Sequence, residues 1–321
     1  MRNLSVSYSK YMDQGDFFMK KRRKQQNSYL LSIFLLLALL FLLAVVILQQ
    51  MKLDELLAGA ETELEQSMTD EELEKKVLLI TAKEISVMAE PEALQAQCVI
   101  ARTNLIAAMK EGENEPQAFT LEELQEMWGE QFKSYYTKLE DAAADTRGQY
   151  LAYHGNCIYA AYHAISAGET RAMEELYPEV QMPYLTNIEC HGDAMAEDYV
   201  SVFTWSREEF MALCKEAYPD SGLKEPEGCS VQSRDSADYA LTIAVGKLRI
   251  TGEEFRTALK LPSACFSITV DEEKVRIVTK GCGHGLGLSQ YAAEQLAKEG
   301  DTWQEILTQF YPGCELLTYK P

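Results

Sequence analysis

Residues 281–290 combine side chains that could do chemistry with an unusually bare backbone. The run reads Gly-Cys-Gly-His-Gly-Leu-Gly-Leu-Ser-Gln, so glycine occupies the alternate positions 281, 283, 285 and 287. Glycine at this density permits positive φ and lets another backbone or a ligand approach closely. His284 lies in the middle of the run, which is therefore either a binding loop or a tight turn whose histidine caps a neighbouring strand.

The spacing of these glycines argues against the common nucleotide-binding loops. The run is one residue too long for the dinucleotide fingerprint, no acidic ribose partner follows within a βαβ unit, and there is no Walker lysine. A serine–histidine hydrolase is also disfavoured, because Ser289 lies only five residues beyond His284 and no acid that would orient the histidine is evident.

The elements that must position this run mix helices with antiparallel hairpins. Pro91 opens a long apolar helix that ends near Gly112. Capping boxes predict three further helix starts, at Thr120, Ser206 and Thr251, and a similar pattern at Asp301 and Gln304 predicts the last helix.

Alternating segments at 149–153 and 157–163 predict one hairpin, and 241–245 with 247–250 predict another. A third pair, 266–270 with 274–279, leads directly into the glycine run. Helices and hairpins are interleaved without a βαβ rhythm, so the predicted fold class is α+β.

The N-terminus predicts a membrane anchor ahead of this fold. Residues 29–48 are 20 consecutive uncharged and mostly apolar residues, long enough to cross a bilayer. Seven Lys/Arg against two Asp in residues 1–28 predict that the N-terminus stays in the cytoplasm. A cleaved signal peptide, cut near Ala60, is the competing interpretation.

The predicted organisation has four parts. A basic cytoplasmic tail at 1–28 precedes a transmembrane anchor at 29–50, a stalk at 51–75 and an extracytoplasmic region at 76–321, with a division into two lobes near residue 205 as one arrangement. Beyond residue 28 the chain carries 48 Asp/Glu against 23 Lys/Arg, which disfavours nucleic acid as a partner. All eight cysteines lie in the extracytoplasmic part; their even number allows disulfides.

Several motifs together resemble one family, although each alone is unspecific. They are Ala-Lys-Glu-Ile at 82–85, the stretch from Pro91 to Thr103 with its Ala-Arg-Thr ending, His163 with Ser166, Gly168 and Thr170, Leu-Pro-Ser at 261–263, the glycine run, and Phe-Tyr-Pro-Gly at 310–313. This combination resembles the stage II sporulation protein D (SpoIID) family of peptidoglycan lytic transglycosylases, from about residue 76 to 317. Asn104 departs from the tyrosine that is usual in the family, and Leu288 from a common methionine.

The resemblance implies that Glu84 is the catalytic residue of a membrane-anchored enzyme that cuts glycan strands during sporulation and engulfment. One carboxyl group would protonate the oxygen between N-acetylmuramic acid and N-acetylglucosamine and would then take the proton of the C6 hydroxyl, which closes a 1,6-anhydro ring. Such an acid must hold a proton near neutral pH, which burial favours. From the residues alone, the competing interpretation is that Glu84 is an ordinary solvated residue on a helix.

The same resemblance assigns substrate binding to four further residues: Arg102, His284, Ser289 and Gln290. Arg102 would orient Glu84 or hold a sugar N-acetyl or carboxylate group. The implied partners are peptidoglycan glycan strands, a cell-wall amidase that removes stem peptides, and a membrane protein of the engulfment machinery. No cofactor is required. A non-catalytic glycan-binding scaffold or amidase enhancer of the same superfamily is the alternative.

A structural zinc ion is a further hypothesis, because some clostridial relatives look able to hold one. Its candidate ligands are His163, Cys190 and His191. Cys157 is set aside, because six residues of one strand would separate it from His163 by roughly 20 Å. A free Cys190, or a disulfide, is the competing interpretation.

Overall fold

The computed structural model describes residues 68–320, of which Asp70–Lys320 form one compact unit. The predicted tail and anchor, and most of the predicted stalk, lie outside the described residues. Between residues 68 and 320, no helix combines the length and the apolar character that a membrane crossing needs. Leu73, on the first described helix, is fully buried, and the predicted start of the extracytoplasmic region at 76 stays a prediction. The division near 205 stays a prediction.

Four helices make up the first part of the unit. They are α1 (Asp70–Glu84), α2 (Pro91–Glu111), α3 (Leu121–Trp128) and α4 (Phe132–Asp145). Fifteen of the 21 residues of α2 are buried, so this helix has almost no solvent face and lies at the centre of the bundle, against α1 and α4. It begins at Pro91 and ends at Gly112 in the left-handed conformation, as predicted.

A small antiparallel sheet packs on α2 and brings in the C-terminal end of the chain. Its order is β11-β1-β2, with β1 (Gln149–Tyr153), β2 (Asn156–Cys157) and β11 (Glu315–Thr318). The turn between β1 and β2 places His154 and Gly155 at positive φ, which confirms the first hairpin.

A two-stranded parallel pair joins distant parts of the sequence: β3 (Tyr162–His163) lies beside β10 (Leu288–Ser289). The prediction of one continuous strand over 157–163 is wrong, because β2 ends at Cys157 and the chain then turns toward β10. Strand pairing this far apart in sequence leaves no local signal, since the partner lies more than 120 residues away.

Two further antiparallel sheets carry the second part of the unit. One has the order β4-β9-β8, with β4 (Val200–Ser206), β8 (Phe266–Val270) and β9 (Lys274–Lys280); the other is β5-β6-β7, with β5 (Cys229–Arg234), β6 (Ala240–Val245) and β7 (Leu248–Thr251). Their inner faces share a core with α6 (Arg207–Ala217) and α7 (Gly252–Ala258), built around Phe210, Phe255 and Ile277.

The remaining helices are short. They are α5 (Met173–Leu176), α8 (Gln290–Glu299), α9 (Trp303–Phe310) and the 3-10 turns Gly129–Gln131, His191–Met195, Pro219–Ser221 and Pro226–Gly228. The capping boxes at Thr120, Ser206 and Thr251 are confirmed. The last helix is capped by Thr302 with Glu305, one residue beyond the prediction. The α+β class with antiparallel hairpins is confirmed.

The glycine run is threaded through the interior of the unit. Residues 281–290 are all buried, and the four alternate glycines all have positive φ. Backbone hydrogen bonds tie the run to both sides: Cys282 exchanges two with Ile165, and Arg171 donates one to Gly285. A Cβ on Gly287 would lie 1.9 Å from the carbonyl oxygen of Ala161. The structure therefore favours the tight structural turn over an exposed binding loop.

We expect Gly287→Ala to destabilise the fold far more than an ordinary glycine substitution. At Gly112, where φ is also positive, no neighbouring atom lies within 4 Å of the position that a Cβ would take, so Gly112→Ala should cost only the conformational term, about 1 kcal/mol. At Gly287 the backbone of Ala161 must also move, so the loss should reach about 3 kcal/mol or more. Denaturant unfolding of both variants measures the difference. Equal losses of unfolding free energy would mean that the glycine run can accommodate a Cβ at position 287, which would contradict the close packing described here.

Candidate functional site

Glu84 lies at the end of a helix and largely out of water. It is the last residue of α1, with 9% of its surface exposed. Its carboxylate oxygen Oε2 accepts a hydrogen bond from the hydroxyl of Tyr162 on β3. The buried residues Ile80 and Val87 flank it along the chain. The side chain is thus a carboxyl group held in place by a neutral phenol, an arrangement that suits a group which gives up and regains a proton.

Gln290 contacts the backbone carbonyl of Glu84. The side-chain nitrogen Nε2 of Gln290 donates to the carbonyl oxygen of Glu84 at 2.9 Å and to Oε1 of Gln97 at 3.1 Å. The last carbonyl groups of a helix have no partner within the helix, so Gln290 satisfies one of them. Because the Glu84 carbonyl can only accept, the amide of Gln290 must present its nitrogen, and Gln97 must present its oxygen. The Nε2 atom of Gln97 is left buried without a partner among the described residues.

Ser289 holds the start of α8. Its hydroxyl donates to Asp193 Oδ2 at 2.7 Å and accepts the N–H of Ala292 at 3.3 Å, which caps the helix. Asp193 also accepts the backbone N–H of Ser166 at 2.7 Å. Burial raises the pKa of Asp193, and the hydrogen bonds from Ser289 and Ser166 act in the opposite direction. Ser289 is fully buried and caps the helix that begins at Gln290, and its predicted role in substrate binding stays a prediction.

His284 is a buried structural residue in this conformation. It is 1% exposed, and its Nδ1 accepts the N–H of Leu286 at 3.0 Å. The Nδ1 atom of His163 meets the carbonyl oxygen of the same Leu286 at 3.1 Å, and the two rings lie 5.9 Å apart. His163 must therefore carry its proton on Nδ1, whereas His284 carries its proton on Nε2, beside the backbone of Tyr162. The two histidines thus bind the backbone N–H and the backbone carbonyl of one residue of the glycine run, Leu286.

Burial keeps both histidines neutral. It lowers the pKa of His163 to about 4, with the charges of Arg171 and Arg256 adding to the effect and the hydrogen bond to Leu286 opposing it. Burial lowers the pKa of His284 well below its usual range, and the neighbouring His163 contributes. The two side chains therefore serve the loop as neutral hydrogen-bonding groups.

Arg102 lies away from Glu84. Its guanidinium forms a two-point ion pair with Glu74, through Nε at 2.8 Å and Nη2 at 2.6 Å, and donates to the carbonyl of Gln149 at 3.0 Å. The side chain is fully buried. The guanidinium therefore pairs with Glu74 rather than with Glu84, and the predicted role of Arg102 in binding sugar stays a prediction. Arg102 joins α1, α2 and β1.

The predicted zinc ligands do not come together. His163 is fully buried, whereas the side chain of His191 is 81% exposed and lies 3.5 Å from Glu189. Among residues 68–320, no three side chains of the metal-binding types form a cluster, so the structure does not bring His163, Cys190 and His191 together. Cys190 is a free, buried thiol, and burial raises its pKa to about 12. All eight cysteines fall within the described residues as free thiols, so no disulfide joins them.

Three residues of the site escaped the sequence analysis: Tyr162, Gln97 and Asp193. Tyr162 immediately precedes His163 in one of the motifs that carry the resemblance, and Gln97 lies inside the stretch from Pro91 to Thr103, so both neighbour assigned residues without having a role of their own. Asp193 offers no signal, since it is one acid among 50 and its partners come from two distant segments.

Fold and site together define an α+β domain in which the buried carboxyl group of Glu84 lies where α1, β3 and the start of α8 meet. Residues 62–153 match the model of the SpoIID family, described as stage II sporulation protein. This range includes α1 and α2, and with them Glu84 and Gln97.

Similarity to individual proteins extends over most of the chain. Stage II sporulation protein D of Bacillus subtilis is 28% identical over 269 residues, which cover 78% of this chain and 76% of that protein. The protein of the same name from Bacillus amyloliquefaciens is 28% identical over 258 residues, 76% of this chain and 74% of its own length. An amidase enhancer of Bacillus subtilis is 26% identical over 279 residues, 71% of this chain and 38% of that protein. The predicted resemblance to the SpoIID family is confirmed.

The neutral histidines predict an acid-labile fold. The folded state holds His163 unprotonated down to about pH 4, whereas the unfolded chain takes up a proton near pH 6.5, so stability is lost as the pH falls between these values. The loss should approach about 1.4 kcal/mol per pH unit from this histidine alone. His163→Asn keeps a donor for Leu286 but cannot titrate, and it should flatten the slope of unfolding free energy between pH 6.5 and 4. Parallel slopes for the two proteins would contradict the assignment.

Proposed function

We propose that this protein is a lytic transglycosylase that cleaves peptidoglycan glycan strands during sporulation, with Glu84 as its single general acid and base. The observation that supports this most is the position of Glu84: buried at a helix end, hydrogen-bonded by Tyr162 and braced through its carbonyl by Gln290. The similarity to stage II sporulation protein D supports the biological setting.

The chemistry follows from one carboxyl group used twice. Protonated Glu84 gives its proton to the glycosidic oxygen as the bond to C1 of N-acetylmuramic acid breaks. The resulting carboxylate then takes the proton of the C6 hydroxyl of the same sugar, and O6 bonds to C1 to close the 1,6-anhydro ring. The carboxyl group ends protonated, as it began, and no water is consumed.

Tyr162 has a defined role in this scheme. Its hydroxyl donates to the carboxylate that exists between the two proton transfers, and hydrogen bonds to charged groups are stronger than those to neutral ones. The interaction is therefore greatest when the anion forms, which is when it assists the reaction. Gln290 fixes the backbone from which the carboxyl group projects.

An amidase enhancer is the second candidate function. The similarity to the amidase enhancer of Bacillus subtilis favours it, and such a protein would act by binding a partner amidase rather than by cutting glycan. On either proposal the glycan and a cell-wall amidase are partners, together with a membrane protein of the engulfment machinery. The two differ in whether Glu84 is needed.

The decisive test is the product of digestion. The full-length protein in detergent should release glycan with 1,6-anhydro-muramic ends from peptide-stripped sacculi, as read by mass spectrometry. Glu84→Gln should lower the rate by at least roughly a hundredfold, since general acid–base catalysis is worth about 10²–10⁴. Glu71→Gln makes the same chemical change on the exposed face of α1 and should leave the rate unchanged.

Reducing-end products would identify a hydrolase and exclude the proposed ring closure. If neither protein cuts glycan, but both wild type and Glu84→Gln stimulate an amidase equally, the enhancer is the better explanation.

The proposed location is the cell membrane, with residues 1–28 in the cytoplasm and the folded unit outside. Its support is the apolar run at 29–48 and the basic cluster that precedes it. The full-length protein should stay with membranes through salt and carbonate washes, whereas a variant lacking residues 1–50 should be released. A mature N-terminus mapped near Ala60 would show a cleaved signal peptide instead.

A further inference from the structure

The outer face of the sheet β4-β9-β8 differs from the rest of this acidic protein. Strand β9 alternates strictly, with Val275, Ile277 and Thr279 buried in the core. The intervening residues point to the other face, where Lys274, Arg276 and Lys280 are exposed. Three cations thus lie along one strand in a chain whose net charge is −20.

The neighbouring strands complete the face without adding a carboxylate. In the register of the sheet, Thr204 and Thr269 lie on either side of Arg276, and Val202 and Ser267 lie on either side of Val278. Val200 lies beside Lys280. Acidic residues occur only where the strands end, at 197–198 and 271–273.

The cations of this face are exposed and available to bind an anionic ligand. Within the described part of the chain, none of Lys274, Arg276 and Lys280 forms an ion pair with a carboxylate, although exposed cations elsewhere, such as Arg147 and Lys298, do so. Val200 and Val202 are 50% and 49% exposed, which is high for valine. Lys274 lies next to the acidic turn at 271–273, so Arg276 and Lys280 are the stronger pair.

We propose that this face, centred on Arg276 and Lys280, is a second binding site for a glycan strand that carries carboxylates. The inference rests on the proposed function for the identity of the polymer. A glycan stripped of its stem peptides exposes one lactyl carboxylate on each muramic acid, and these carboxylates would pair with the two cations. Its hydroxyl groups would form hydrogen bonds with Thr204, Thr269 and Ser267, and the apolar faces of its rings would pack on the valines.

The dimensions and charges favour an extended polymer over a small anion. Outward-facing residues of a strand are about 7 Å apart, so Arg276 and Lys280 are about 13 Å apart and cannot share one carboxylate. At physiological salt, charges beyond about 8 Å are largely screened, so the many acids elsewhere on the molecule weaken the local attraction only in part. The site would hold the strand while another part of it is cut at Glu84.

The test measures binding without cleavage. Full-length protein carrying Glu84→Gln is titrated with peptide-stripped glycan strands and, separately, with chitin oligosaccharides, which have a similar backbone but no lactyl carboxylate. The glycan should bind more tightly, and raising the salt concentration should weaken the glycan complex but leave the chitin complex nearly unchanged. Arg276→Gln combined with Lys280→Gln should weaken glycan binding by about tenfold and chitin binding little, since two exposed ion pairs contribute modestly.

A matched control removes the same charge elsewhere. Lys215→Gln with Lys224→Gln changes two exposed lysines that lie off this face and should leave glycan binding as it was. An equal loss in both double variants, an equal loss for both ligands, or no preference for the carboxylate-bearing glycan would each overturn the proposal. The wild-type protein separates the two proposals. If it binds glycan with the expected charge dependence but cuts nothing, the binding face is supported and the proposed transglycosylase activity is excluded.

Discussion

The site depends on one packing constraint, the backbone-to-backbone contact between the glycine run and the segments around it. Gly287 leaves no room for a Cβ against Ala161, and a Cβ on Gly281 would meet the carbonyl oxygen of Ile165 at 2.8 Å. This close approach lets β10 pair with β3, which brings Ser289 and Gln290 beside Tyr162. From that junction Tyr162 and Gln290 reach Glu84, and Ser289 caps the helix that begins at Gln290.

Buried polar groups then hold the junction in a single arrangement. Two neutral histidines bind the backbone N–H and the backbone carbonyl of Leu286, and the carbonyl of His284 accepts from Arg171 at 3.2 Å. Arg171 in turn pairs with Asp235 and Glu253 and lies over the ring of Tyr239, which ties the run to the second part of the unit. Such groups are costly to bury unless each finds its partner, so they specify one geometry more than they add stability.

Much of the fold could be predicted from the sequence, because helix starts and tight hairpins depend on residues that are close together in the chain. Capping boxes at Thr120, Ser206 and Thr251 need only residues three apart, and Pro91 and Gly112 mark the ends of α2 by their own backbone preferences. The broken strand at 157–163 and the parallel pairing with β10 are set by distant partners, for which the local pattern holds no information.

The site residues divide in the same way. Glu84 and Gln290 belong to motifs of a known family and lie together, whereas Arg102 and His284, from the same motifs, are buried supports. A motif marks a residue as part of the family pattern, but it does not distinguish a residue that contacts substrate from one that supports the fold. Arg102 illustrates this, since its partner Glu74 lies 28 residues away on the preceding helix and no spacing rule links them.

The central claim is that Glu84 acts directly on a glycosidic bond. The most direct measurement is a crystal structure of the Glu84→Gln variant with a peptide-stripped glycan fragment bound. We expect a glycosidic oxygen within hydrogen-bonding distance of the side-chain amide at position 84, with the C6 hydroxyl of the adjoining muramic acid facing the same group. A fragment bound in a groove from which residue 84 is shielded by Tyr162 or Gln290 would contradict the claim.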